Sequence, residues 1–138
     1  MKARLRVEVE HAIALSDTGL FGTLDEGETA RLRDAHANFD AAAYAELKGI
    51  EAEVRHDVKA CELYLKRKAA LRKPNRIHFG LTSEDVNNLA YGTLFDAFLA
   101  EVELPLLRDV AMALVPLVRT HADTPFPAAT HGQPASPT

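Results

Sequence analysis

The feature that most constrains this fold is an apolar stripe running through residues 84–120. Val86, Leu89, Ala90, Thr93, Leu94, Ala97, Phe98 and Val102 share one helical face, and Leu107, Val110, Ala111, Leu114, Leu117 and Val118 continue it beyond Pro105. A proline inside a helix removes one hydrogen bond and crowds the preceding turn. The pattern therefore predicts one long helix kinked at Pro105, or two nearly collinear ones, with a second disturbance at Pro116. At ~1.5 Å per residue such an element spans about 55 Å. That is long for a chain of 138 residues. A helix of this length buries its stripe only against other long helices, and little else in the sequence matches it.

The rest also reads as helix. Leu5, Val9, Ala12 and Ile13 recur at helical spacing in 2–16 until "SDTG" stops them. Asp25 and Glu28 form a capping-box pair ahead of a short helix. "DAAAYAELKGI" predicts another, and "HDVKACELYLKRKAAL" a stronger one, with Asp57 placed to cap it and Pro74 just past its end. No strand run, internal repeat or low-complexity segment stands out. Four of the seven prolines lie in 125–137, a composition that by itself suggests a tail or linker. The fold class expected is all-α.

Composition narrows the function classes. The chain is 47% hydrophobic and 26% charged, ordinary for a globular domain. A net charge of −4 with no basic stripe gives no reason to expect nucleic acid. The cluster Lys66-Arg67-Lys68 with Arg72 and Lys73 falls near a helix end, where cations complement the helix dipole. Cys61 is the single cysteine, so no internal disulfide forms, and its apolar face (Val58, Cys61, Leu65) reads as core rather than nucleophile. No stretch approaches the ~20 apolar residues of a membrane span. The N-terminal "MKARLRVEVEHAIAL" is charged throughout, unlike a secretion signal, which makes the cytoplasm the expected compartment.

Three polar stretches interrupt the helices. In "VRHDVKA", His56 and Asp57 open a helix, as a plain cap or as an anion ligand beside the helix dipole. In "HFGLTSEDVNN", Thr82 or Ser83 is a good N-cap, and the same hydroxyls and free amides could hold a carboxylate provided Glu84 and Asp85 point away. In "THGQP", His131 stands between a hydroxyl, a glycine and an amide, and an imidazole can exchange a proton near neutral pH. Spacing alone favours the structural reading for the first two, and a lone loop histidine is usually not catalytic. His11, His36, His78 and His121 have weaker surroundings and carry no candidate role.

Taken together, "RVEVEHAIAL", "RHDVKACELYLKRK", "IHFGLTSEDVNNLAYG", "EVELPLLRDV" and "THGQPASPT" resemble, in this order, the bacterial type of the adenylosuccinate lyase family, within the fumarase/aspartase superfamily of helical lyases. The resemblance implies a C–N lyase: β-elimination releases fumarate from adenylosuccinate, giving AMP, and from the succinylcarboxamide ribotide of purine synthesis. No metal or organic cofactor takes part. The carbanion-like intermediate requires donors around the fumaryl carboxylates. By resemblance, His131 corresponds to the general acid, with Thr130 and Gln133 beside it as substrate-binding positions. His56 and Asp57 correspond to substrate-binding positions, His56 also supporting the acid. Thr82 and Ser83 correspond to the pair on a fumaryl carboxylate, and Arg55 stands where close relatives often carry Asn.

The resemblance also implies an architecture: residues 1–82 as an N-terminal helical domain lacking its first segment, and 83–138 as the start of a central helix bundle. Family members form homotetramers whose sites combine residues of three subunits. The family's base, a serine on a "SSxMPxKxN" loop, has no counterpart in these 138 residues. A chain holding this portion of the enzyme is expected to be inactive alone and to self-associate through its apolar stripe. The alternative is a non-catalytic helical association module from a truncated or decayed lyase gene.

Overall fold

The computed structural model describes residues 1–137. Six α-helices follow in order: α1 (Lys2–Asp17), α2 (Glu26–Ala37), α3 (Ala41–Val54), α4 (Asp57–Ala69), α5 (Ser83–Phe98) and α6 (Leu104–His121). A 3-10 turn spans Pro74–Arg76, a π-helical turn spans Leu99–Glu103, and a two-stranded ribbon pairs β1 (Ala128–Thr130) with β2 (Gln133–Ala135). The protein is all-α apart from that ribbon. It divides into two compact units, Met1–Asp96 and the residues from Ala97 onward.

In the first unit α4 is the central helix, packed on α1, α2 and α3. Its sequence explains this: Ala60, Cys61, Tyr64, Leu65 and Ala69 are all buried, so small residues let neighbours approach on more than one side. The α1 stripe of Leu5, Val9 and Ala12 is buried as its spacing predicts, with Leu32, Leu47 and Ile50 supplied by α2 and α3. Each fully buried leucine contributes roughly 1.5–3 kcal/mol from area removed from water. Cys61 belongs to this core, and burial pushes its thiol up to about 12.

The caps follow the sequence with one exception. Asp25 accepts the Glu28 N–H at 2.7 Å and Glu28 accepts the Asp25 N–H at 3.2 Å, closing the capping box. Asp40 caps α3 through the Ala43 N–H at 2.9 Å. At α4 the expected cap, Asp57, is the first helical residue, and His56 does the capping: its Nδ1 accepts the Lys59 N–H at 3.2 Å. His56 has the extended backbone of an N-cap, and an unprotonated ring nitrogen substitutes for the usual oxygen. Three members of the basic cluster are paired with carboxylates, Lys66 on Glu62, Lys68 on Glu46 and Arg72 on Glu28.

The loop before α5 is pinned to α1. His78, at φ 65°, places Nδ1 2.6 Å from Oε1 of Glu8, and His11 Nε2 lies 2.8 Å from the Phe79 carbonyl. Glu8 is fully buried, its carboxyl is raised by desolvation, and its Oε2 has no partner.

Within α5 only Val86 and Ala90 are buried, while Leu89, Leu94 and Phe98 remain exposed. The backbone stays helical from Ser83 to His121, but Pro105 leaves its mark as the π-helical turn just ahead of it. Pro105 has no N–H for the ladder and its ring crowds the carbonyl four residues back, and a wider turn relieves both. The disturbance expected at Pro116 is not seen; α6 runs through it, since one missing bond is flanked by intact ladder. The strand reading also needs correction. The proline-rich end holds a hairpin with Ala128 opposite Ala135 and Thr130 opposite Gln133.

Candidate functional site

Three elements of the first unit converge on one cluster. The backbone turns at Arg55, which ends α3 in the left-handed conformation (φ 54°), its N–H bonded to the Glu51 carbonyl at 2.7 Å. That turn sets His56 and Asp57 at the mouth of α4. Asp57 Oδ1 accepts the Val58 N–H at 2.8 Å, and Oδ2 pairs with Arg4 Nη2 at 2.9 Å. Arg4 also donates from Nε to Asn87 Oδ1 at 2.8 Å, tying α1 to α5. From the start of α5, Ser83 Oγ stands 3.3 Å from His56 Nε2. His56 thus has one ring nitrogen on the helix end and the other on a hydroxyl, with half of its side chain exposed.

Thr82 takes a different part. Its N–H and its hydroxyl donate to Asp85 Oδ2 at 2.7 and 2.8 Å, and its Oγ1 accepts the Asp85 N–H at 3.3 Å. This is a capping box with Asp in place of Glu. The backbone bond from Thr82, followed by its hydroxyl, holds the Asp85 carboxyl below the usual range. Asp85 turns back onto the helix end rather than away, so Ser83 is the hydroxyl of the pair that is free of a carboxylate. Arg4 and Asn87 carry no local signal in the sequence. Their signal is tertiary, because Arg4 meets partners 53 and 83 positions away.

In the second unit, His131 and Gly132 are the two central residues of the β1–β2 turn, at φ 51° and 74°. Two positive φ values in a two-residue hairpin loop are the type I′ signature, in which His is tolerated and Gly favoured. Thr130 and Gln133 are the paired residues that close this turn. The imidazole is presented at the tip, exposed.

Among the described residues no group of three or more His, Cys, Asp or Glu side chains is arranged to hold a metal ion. Nor is any helix among them long and apolar enough to cross a membrane.

The model of the family described as lyase matches residues 21–138, which include Arg55, His56, Asp57, Thr82, Ser83, Thr130, His131 and Gln133 but not Arg4. The chain belongs to the lyase family. Its relatives carry a more specific name. It is 36% identical to adenylosuccinate lyase of Legionella pneumophila (strain Corby) over 98% of this chain and 31% of the relative. It is 42% identical to adenylosuccinate lyase of Vibrio cholerae over 73% of this chain and 23% of the relative, and 40% identical to that of Escherichia coli K12 over the same shares. This lyase-family chain thus spans about a third or less of the length of the curated relatives it matches.

Proposed function

We propose that these residues form part of an adenylosuccinate lyase site, which releases fumarate from adenylosuccinate by β-elimination. The observation that carries the reading is the His56–Asp57–Ser83 cluster, whose three residues lie inside the region matched by the lyase family and are held by Asn87 within that region and by Arg4 ahead of it. Arg55, His56, Asp57, Thr82 and Ser83 bind the substrate's anionic end. His131 supplies the acid that protonates the departing nitrogen, from a turn that presents the imidazole without burying it, and Thr130 and Gln133 beside it bind the substrate. Residues 1–82 act as the N-terminal helical domain and 83–138 as the first part of a central bundle, working in a homotetramer in the cytoplasm. The purine nucleotide is the substrate partner, and the base comes from a further segment.

Complementation tests this. The 138-residue chain is co-expressed with the remaining two thirds of a related adenylosuccinate lyase, and adenylosuccinate absorbance and fumarate release are followed. Activity that appears only with both parts, and disappears with His131→Ala, is the expected result. Activity retained by His131→Ala sinks the assignment of the acid.

One observation favours a second reading, a helical association module. On α6, Leu107, Val110, Leu114, Leu117 and Val118 are all more than half exposed. Exposed apolar stripes of this size mark interaction surfaces. Sedimentation separates the outcomes: oligomers are expected, and a monodisperse monomer rules out self-association through this face.

A further inference from the structure

The geometry points to a fixed direction for the hydrogen-bond chain that runs from α4 through His56 to Ser83. His56 Nδ1 lies 3.2 Å from the Lys59 backbone nitrogen. A backbone N–H only donates, so Nδ1 must offer its lone pair. A neutral imidazole carries its one proton on the other nitrogen, so Nε2–H faces Ser83 Oγ across 3.3 Å. Ser83 is then the acceptor in that contact, and its own hydroxyl hydrogen is turned to another partner.

The reverse direction fails at the helix end. If Ser83 donated to Nε2, the proton would sit on Nδ1 and two donors would face each other at 3.2 Å. The same collision arises for a doubly protonated ring. The other acceptor near Nδ1 is Asp57 Oδ1 at 3.6 Å, which already accepts the Val58 N–H at 2.8 Å and belongs to a carboxylate paired with Arg4. The N-cap of α4 therefore acts as a tautomer lock.

The consequence for function rests on the lyase reading. His56 is a positioning residue that gives a hydrogen bond from Nε2 while it caps α4 through Nδ1. Its effect is to aim the Ser83 O–H at an acceptor. An anionic oxygen, such as a carboxylate of the substrate, is the partner this direction suits.

The test is nitrogen-15 NMR of the chain labelled at histidine and uniformly on the backbone, above the pH at which its histidines titrate. The expected result is an acceptor-type shift for His56 Nδ1, a protonated Nε2 in at least about tenfold excess, and a scalar coupling between Nδ1 and the Lys59 amide nitrogen. Ser83→Ala should leave all three unchanged, because the cap and not the serine sets the tautomer. A protonated Nδ1, or a tautomer ratio that moves with Ser83→Ala, would overturn the inference. The readout needs neither substrate nor turnover. A failed complementation leaves this result standing, and the wrong tautomer leaves the lyase reading to its own assay.

Discussion

Glu28 offers the sharpest test of how the first unit is held. Its side chain is only 3% exposed, and it accepts the Arg72 N–H at 2.8 Å and Arg72 Nη2 at 2.7 Å, besides closing the cap on Asp25. The Arg72 side-chain bond, and after it the Arg72 backbone bond, hold the carboxyl at about 2 against an ordinary 4.5. At ~1.4 kcal/mol per decade of acidity that difference corresponds to at most ~3.5 kcal/mol. The Arg72 side chain is 66% exposed, so solvent reduces its bond to the surface-pair level, about 0.5 kcal/mol. A backbone N–H on a buried charged acceptor contributes ~1.5 kcal/mol. Glu28→Gln keeps the shape and removes the charge, and should cost about 2 kcal/mol at neutral pH. For a unit of this size that lowers the melting temperature by roughly 8 °C. The sign with pH is fixed: the carboxyl's pKa is lower folded than unfolded. Its contribution is therefore whole above pH 4.5 and fades as pH falls toward about 2. Circular-dichroism melts of the two proteins at pH 6 and pH 3 should show the gap shrinking to roughly half or less at pH 3. Arg72→Ala, which spares the backbone bond, should cost less than half as much as Glu28→Gln. A gap that does not change with pH would refute the electrostatic account and leave helix propensity or packing as the cause.

Other consequences are simpler to check. Cys61, fully buried with its thiol at about 12, should resist an aromatic disulfide reagent at pH 8 in the native protein and react as a single thiol in guanidinium. His78→Leu removes the partner of the buried Glu8, whose second oxygen is already orphaned, and should cost about 3 kcal/mol in urea unfolding. A cost below about 1 kcal/mol would mean that water reaches Glu8 freely.

Much of the fold is local and therefore written in the order of residues. The stripe on α1, the Asp25–Glu28 box and the apolar face of α4 depend on neighbours three or four positions away, so spacing was sufficient to find them. The hairpin had a local signal too, His131-Gly132 between two short runs. That signal is masked because Pro134 demotes a strand and three residues are too few to show alternation. The cap of α4 is ambiguous in the sequence because His56 and Asp57 are adjacent, and only the backbone angles decide which of them is the half-turn outside the helix.

The candidate site itself belongs to the tertiary structure. The sequence determined that His56, Asp57, Thr82 and Ser83 flank helix starts, because N-terminal chemistry is local. It could not determine that Arg4 reaches both Asp57 and Asn87, that Asp85 claims Thr82 and leaves Ser83 to His56, or that Glu8 and His78 anchor the loop between them. Most of these contacts join residues 27 to 83 positions apart, where no periodicity operates and helix packing alone sets the distance.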